Sequence, residues 1–158
     1  MFVHDLISLY KRFVSRVDHA KQPVTFELVN GGMTFPSKAY DDDVGYDLYA
    51  SADTTLAPFT VTAVKTGVRI AVHDKDIFPK IESRSGLALK TVFVVGGIIE
   101  PKYKGEIKVL LYNGSPHEAK ITLGQRVAQV VFYKYTNPVH VNVMFERERQ
   151  DAGFGSSD

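Results

Sequence analysis

Three observations predict an all-β fold for this chain of 158 residues. From Val24 to Phe145 apolar residues alternate with polar ones or form short β-branched runs, the pattern of half-buried strands. Turn residues interrupt these runs at near-regular spacing, at Asn30-Gly31-Gly32, Ala57-Pro58, His73-Asp74-Lys75-Asp76, Asn113-Gly114-Ser115-Pro116 and Asn137-Pro138. No strand–helix alternation is present, and neither a Rossmann nor a P-loop glycine motif occurs. Many short strands without crossover helices argue for a sandwich, jelly roll or barrel.

The candidate strands are Val24–Val29, Thr60–Val72, Ile77–Ile81, Val92–Val95, Glu106–Tyr112, Ala119–Thr122, Val127–Tyr133 and Val139–Val143. Ahead of them, Phe2, Leu6, Leu9, Tyr10, Phe13, Val14 and Val17 recur at helical spacing, which predicts an amphipathic helix ending before Pro23. Its apolar face suits either the domain's own surface or a protein partner. After Phe145 the chain is charged and then glycine-rich, the composition of a flexible arm. The expected organisation is a helical extension over residues 1–22, a β domain over 23–145 and an arm over 146–158.

Charge excludes several function classes. With 19 basic and 18 acidic residues there is no long-range field to gather nucleic acid or an anionic membrane. Any bound anion must be caught by a few local Arg and Lys side chains. The absence of cysteine removes disulfides, zinc–thiolate sites and thiol nucleophiles. No apolar run reaches the length of about 20 residues that spans a bilayer, and the N-terminus makes a poor signal peptide. A soluble protein of the cytoplasm or nucleus, or of viral origin, is the expectation.

Polar constellations then stand out from the strands. Glu100 ends the apolar run Val94-Val95-Gly96-Gly97-Ile98-Ile99 and precedes Pro101-Lys102-Tyr103-Lys104-Gly105. A carboxylate beside apolar strands is costly to bury without a partner, and glycines permit close backbone approach. A solvated hairpin tip is the plain alternative. Ser83-Arg84-Ser85-Gly86 offers hydroxyl, guanidinium and amide donors in a tight turn, suited to phosphate or to ordinary helix capping. Asp41, Asp42, Asp43 and Asp47 crowd seven residues, either as a solvated acidic loop or near a divalent ion. Gln129 sits on a strand where its amide needs a partner. The histidines, at positions 4, 19, 73, 117 and 140, show no metal-ligand spacing.

In order along the chain, Val44-Gly45-Tyr46-Asp47-Leu48-Tyr49-Ala50, Ser83-Arg84-Ser85-Gly86-Leu87-Ala88, Gly97-Ile98-Ile99-Glu100-Pro101-Lys102-Tyr103-Lys104-Gly105-Glu106, Gly124-Gln125-Arg126-Val127-Ala128-Gln129 and Arg149-Gln150-Asp151-Ala152-Gly153-Phe154-Gly155-Ser156-Ser157 resemble the five signature motifs of the trimeric dUTP pyrophosphatases (dUTPases). The resemblance covers about residues 24 to 157. It implies a jelly-roll subunit, a homotrimer with shared active sites, and hydrolysis of dUTP to dUMP and pyrophosphate with Mg²⁺. By matching position, Glu100 becomes the carboxylate that orients and deprotonates water. Tyr103 becomes the ring beneath the deoxyribose, and backbone groups of Gly97, Ile98 and Ile99 face the uracil edge. Arg84, Ser85, Gly86, Lys108 and Gln129 join the substrate-binding set. Asp47 holds waters of the Mg²⁺ shell rather than the ion itself. From the arm, Phe154 stacks on uracil while Arg149, Gly155, Ser156 and Ser157 close over the phosphates, as a water-excluding lid does.

The chain departs from the family pattern in several places. Glu100 stands where the family has aspartate, one methylene further from the backbone. Ser83 stands where proline is usual, Pro101-Lys102 follows the acid, and Gln150 and Ala152 replace usual glycines. Two alternatives follow: a catalytically impaired, dUTPase-like nucleotide-binding or regulatory protein, and a relative of the dCTP deaminases. The deaminases carry their glutamate at the position of Leu110, and an aliphatic side chain there cannot move a proton.

Overall fold

The computed structural model of the chain describes residues 22–139. The expected N-terminal helix and the C-terminal arm lie outside them, as does the candidate strand Val139–Val143 apart from its first residue.

Among the described residues the fold is nearly all β. The strands are β1 (Val24–Leu28), β2 (Tyr46–Tyr49), β3 (Thr54–Leu56), β4 (Val61–Lys65), β5 (Val68–Val72), β6 (Ile77–Glu82), β7 (Val92–Val94), β8 (Lys108–Asn113), β9 (Ala119–Ile121) and β10 (Arg126–Lys134). A single helical turn, α1 (Ser85–Ala88), follows β6. All pairings are antiparallel: β1 with β5, β2 and β6 on either side of β10, β3 with β9, and β4 and β7 on either side of β8.

The expected run Thr60–Val72 is two strands. Gly67 breaks it with φ +64°, a conformation side chains with a Cβ resist, and Gly32 packs so closely that a Cβ there would lie 2.0 Å from the Gly67 carbonyl oxygen. Strands β2 and β3 were not anticipated. Their four and three residues are too short for period two to show against the surrounding aspartates.

Inward residues of every sheet meet in one core. Leu48, Leu56, Val64, Ile81, Val92, Val109, Leu111, Ile121 and Val130 are all almost fully buried in a single cluster. Phe26 of β1 joins Tyr46 of β2 and Phe132 of β10 in an aromatic triangle with centroid spacings of 5.4 to 6.1 Å. It locks the β1–β5 pair over the sheet centred on β10.

One polar side chain belongs to this core. Asn113, fully buried, donates from Nδ2 to the carbonyls of Leu56 (3.0 Å) and His117 (2.8 Å), and its Oδ1 accepts from the Ser115 amide (3.1 Å). It joins the ends of β3, β8 and the following turn. Removing it strands buried carbonyls. Asn113→Ala should therefore lower unfolding stability by about 2–4 kcal/mol, read from chemical denaturation; a loss under about 1 kcal/mol would contradict this role.

Candidate active site

The phosphate-turn candidates are assembled by β10. Gln129 lies in register with Asp47 on β2 and with Glu82 at the end of β6, so the start of the Ser83–Gly86 turn falls beside Asp47. Asp47 is nearly buried and shares its two oxygens between two guanidiniums. Arg84 Nη1 donates to Oδ1 at close range, and Arg126 Nη1 donates to Oδ2 at 3.2 Å. The two guanidiniums face a polar cleft of about 210 Å³, lined by Asp43, Gly45, Asp47, Arg84, Arg126 and Gln129 among others, in which the formal charges of two arginines and two aspartates balance. Burial, with the nearby charge of Arg126, lowers the Arg84 pKa from its ordinary value; an arginine so shifted still stays protonated in neutral water.

Arg126 has no assigned role in the sequence reading. Alternation would place residues three apart on opposite faces of a strand, so Arg126 and Gln129 should not meet. A bulge between Arg126 and Ala128 shifts the register by one and turns both into the same cleft.

Local contacts explain the rest of this cleft. A Cβ on Gly45 would lie 2.2 Å from Gln129 Oε1, so glycine is needed there to seat the amide. Gln129 Nε2 reaches the Ser83 carbonyl at 3.4 Å. Ser83 Oγ accepts from the Val94 amide at 2.9 Å, pinning the turn to β7, a contact proline could not make. Ser85 and Gly86 begin α1 and have no carbonyl partner within that turn. No atom lies within 4 Å of a Cβ built on Gly86, which leaves room for close approach of a ligand.

The hairpin forms a second cleft. Ile81 donates to the Gly97 carbonyl (2.7 Å) and Ile99 donates to the Pro79 carbonyl (3.0 Å), so residues 97–99 dock along the free edge of β6. A Cβ on Gly97 would sit 2.2 Å from the Ile81 oxygen, so this glycine serves the docking itself. Pro79 lies in mid-strand without penalty, because its missing N–H faces the short hairpin rather than β10. Docking engages the Ile99 amide and the Gly97 carbonyl and turns the Ile98 backbone away from β6.

Beyond it, Tyr103 donates its amide to the Glu100 carbonyl (2.9 Å), closing a turn with Pro101 second. The Glu100 side chain is exposed and makes no hydrogen bond or ion pair to a described residue. The Tyr103 ring folds over Gly105, where a Cβ would lie 2.3 Å from its hydroxyl oxygen. Glu100, Tyr103, Lys108, Ile98, Ile99 and Leu110 are among the residues that line a cleft of about 270 Å³. Lys108 faces Lys65 across the β4–β8 ladder, a like-charge pair that an anion would relieve. Leu110 forms apolar wall, with no carboxylate in its place.

The two clefts share no lining residue. Arg84, Asp47, Arg126 and Gln129 come together, as do Glu100, Tyr103 and Lys108, and among the described residues the two sets line different clefts. Arg149, Phe154, Gly155, Ser156 and Ser157 fall outside the described residues. Among the described residues no group of three or more His, Asp or Glu side chains could hold a metal, and no helix is long and apolar enough to cross a membrane.

An all-β domain with an arginine-lined polar cleft beside a short helical turn and an acid-tipped hairpin cleft offers two places for a small polar ligand. The dUTPase family model matches residues 32–158. The deoxyuridine 5'-triphosphate nucleotidohydrolase of swinepox virus is 33% identical over 125 residues, covering 77% of this chain and 87% of the relative. That of variola virus is 31% identical over 137 residues, covering 85% and 92%. The dUTPase of phage phi11 of S. aureus, solved with a structural Mg(II) ion, superposes with a TM-score of 0.73 at 18% identity over 80% of this chain and 99% of that one. The EIAV dUTPase gives 0.67 at 23% identity over 80% and 99%. The chain belongs to the dUTPase family.

Gly97→Ala should detach the hairpin from β6. Amide hydrogen exchange at Ile81 and Ile99 is expected to accelerate by about tenfold or more, with β8 unchanged; unaltered protection at both amides would contradict the docking.

Proposed function

We propose that this chain hydrolyses dUTP to dUMP and pyrophosphate with Mg²⁺, as a homotrimer whose active sites are shared between subunits. The observation that carries the shared site is the separation of the two clefts. The arginine-lined cleft of one copy supplies phosphate contacts, and the hairpin of another supplies the base and the nucleoside pocket. Family membership supports the substrate.

The residue roles follow from the chemistry of each cleft. Arg84 and Arg126 present guanidinium donors to phosphate oxygens, while the Ser85 and Gly86 amides and the Gln129 side chain add donors. Lys108 adds charge from the hairpin side, and Arg149 contributes a further guanidinium. Asp47 has both oxygens on arginines, yet a carboxylate accepts about four hydrogen bonds, so it can also hold water. These residues fit an ion carried on triphosphate oxygens with its waters kept, the usual mode for Mg²⁺; they do not fit an ion held by protein alone. When bound, Mg²⁺ supplies further charge neutralisation at the phosphates.

Glu100 orients a water for in-line attack and takes its proton as the bond between the α- and β-phosphates breaks and pyrophosphate leaves. Its carboxylate is exposed and has no partner among the described residues. Tyr103 packs beneath the deoxyribose where a 2′-hydroxyl would clash. The Ile98 backbone, turned away from β6 between the docked Gly97 and Ile99, reads the uracil edge, with Phe154 stacked on its face. Gly155, Ser156 and Ser157 close over the phosphates.

Pyrophosphate release from dUTP tests this reading. Glu100→Gln should reduce kcat by about 10²-fold or more while dUTP binding persists. A wild type that binds dUTP without turnover, while Glu100→Asp turns over, would establish the nucleotide-binding alternative instead. Absence of dUTP binding in both would remove the proposal.

A further inference from the structure

Tyr103 is held by a device that the five motifs leave unassigned. Its hydroxyl donates to the Glu106 backbone carbonyl at 3.1 Å, so the ring can be no steadier than the backbone at Glu106. That backbone is strutted. Both oxygens of the Glu106 side chain are engaged, Oε1 by the Gly67 amide (2.9 Å) and Oε2 by Asn30 Nδ2 (3.2 Å). The next residue continues the attachment, with the Ile107 amide donating to the Val68 carbonyl (2.8 Å) and Thr66 Oγ1 donating to the Ile107 carbonyl (2.6 Å). The base of the strut is itself fixed, because the Val29 amide donates to the Gly67 carbonyl (2.8 Å) and Gly32 lies against Gly67 without room for a Cβ.

We infer that Glu106 is a positioning residue for sugar selection: it ties the hairpin stem to the Gly67 turn and so holds the Tyr103 ring where a 2′-hydroxyl is refused. The inference rests on the dUTP reading proposed above. Glu106 also lines the hairpin cleft, where a carboxylate could instead act on substrate. Its partners decide between the two. Both are neutral N–H donors that require an acceptor oxygen rather than a charge. Glutamine keeps an acceptor oxygen for the Gly67 amide, and its Nε2 can donate to Asn30 Oδ1 once the Asn30 amide turns over, so it should restore the strut, whereas it could not restore a base.

The test uses the full chain, with kcat and KM measured for dUTP and UTP and amide exchange followed alongside. Glu106→Ala should lower the preference for dUTP over UTP in kcat/KM by about tenfold, chiefly through KM for dUTP, with kcat within about threefold. Exchange at the Gly67 and Tyr103 amides should accelerate while β10 keeps its protection. Glu106→Gln should restore both readouts. Should Glu106→Ala fail to fold, Asn30→Gly removes one donor while accommodating the positive φ at that position (51°) and should shift the preference in the same direction, by less. A folded Glu106→Ala protein with wild-type preference, or Glu106→Gln losing kcat as a base variant would, overturns the inference. If wild-type protein does not turn over dUTP, the functional reading fails, and unchanged exchange at Tyr103 would independently refute the strut.

Discussion

Strand β10 is the constraint on which the chemistry depends, because it pairs along both edges at once. Gln129 stands in register with Asp47 on one side and Glu82 on the other, so the strand carrying an amide also brings an acidic strand and a cationic turn together. The bulge after Arg126 adds a second guanidinium to the same face. Asp47 is nearly buried, and an isolated carboxylate there would be strongly unfavourable. Held by both Arg84 and Arg126, it is compensated.

A second dependence runs through the free edge of β6. An exposed edge invites pairing, and here residues 97–99 occupy it. The docking sets which hairpin backbone groups stay available and leaves Glu100 beyond the paired segment. The carboxylate is consequently exposed and carries no burial cost of its own. The extra methylene of glutamate is easier to accommodate at an exposed turn than in packed interior, while the accuracy demanded of the base proposed above makes its reach consequential.

The β character, most strand positions and the ordered motifs were legible in the sequence, because they depend on local alternation, turn residues and spacing. Strands β2 and β3 were not, since short segments rich in Asp and Thr carry little periodic signal. The split at Gly67 does not show in the sequence because β-branched residues flank the glycine on both sides, and only the close approach of Gly32 shows why the chain must turn there. Ser83 looked like a mere departure from proline; its bond to the Val94 amide gives it a structural purpose of its own.

The sequence by itself determined the kind of elements, the residue types available for phosphate and water chemistry, and the family, since all of these are written in local pattern and order. Tertiary structure decided which of those residues meet. Arg126 reached the Asp47 cleft through a bulge that alternation cannot reveal, Glu106 found its partners some 40 and 76 residues away in the chain, and the phosphate and hairpin sets came to lie in separate clefts. Those outcomes rest on register and long-range packing, which belong to the assembled sheets and to no single segment.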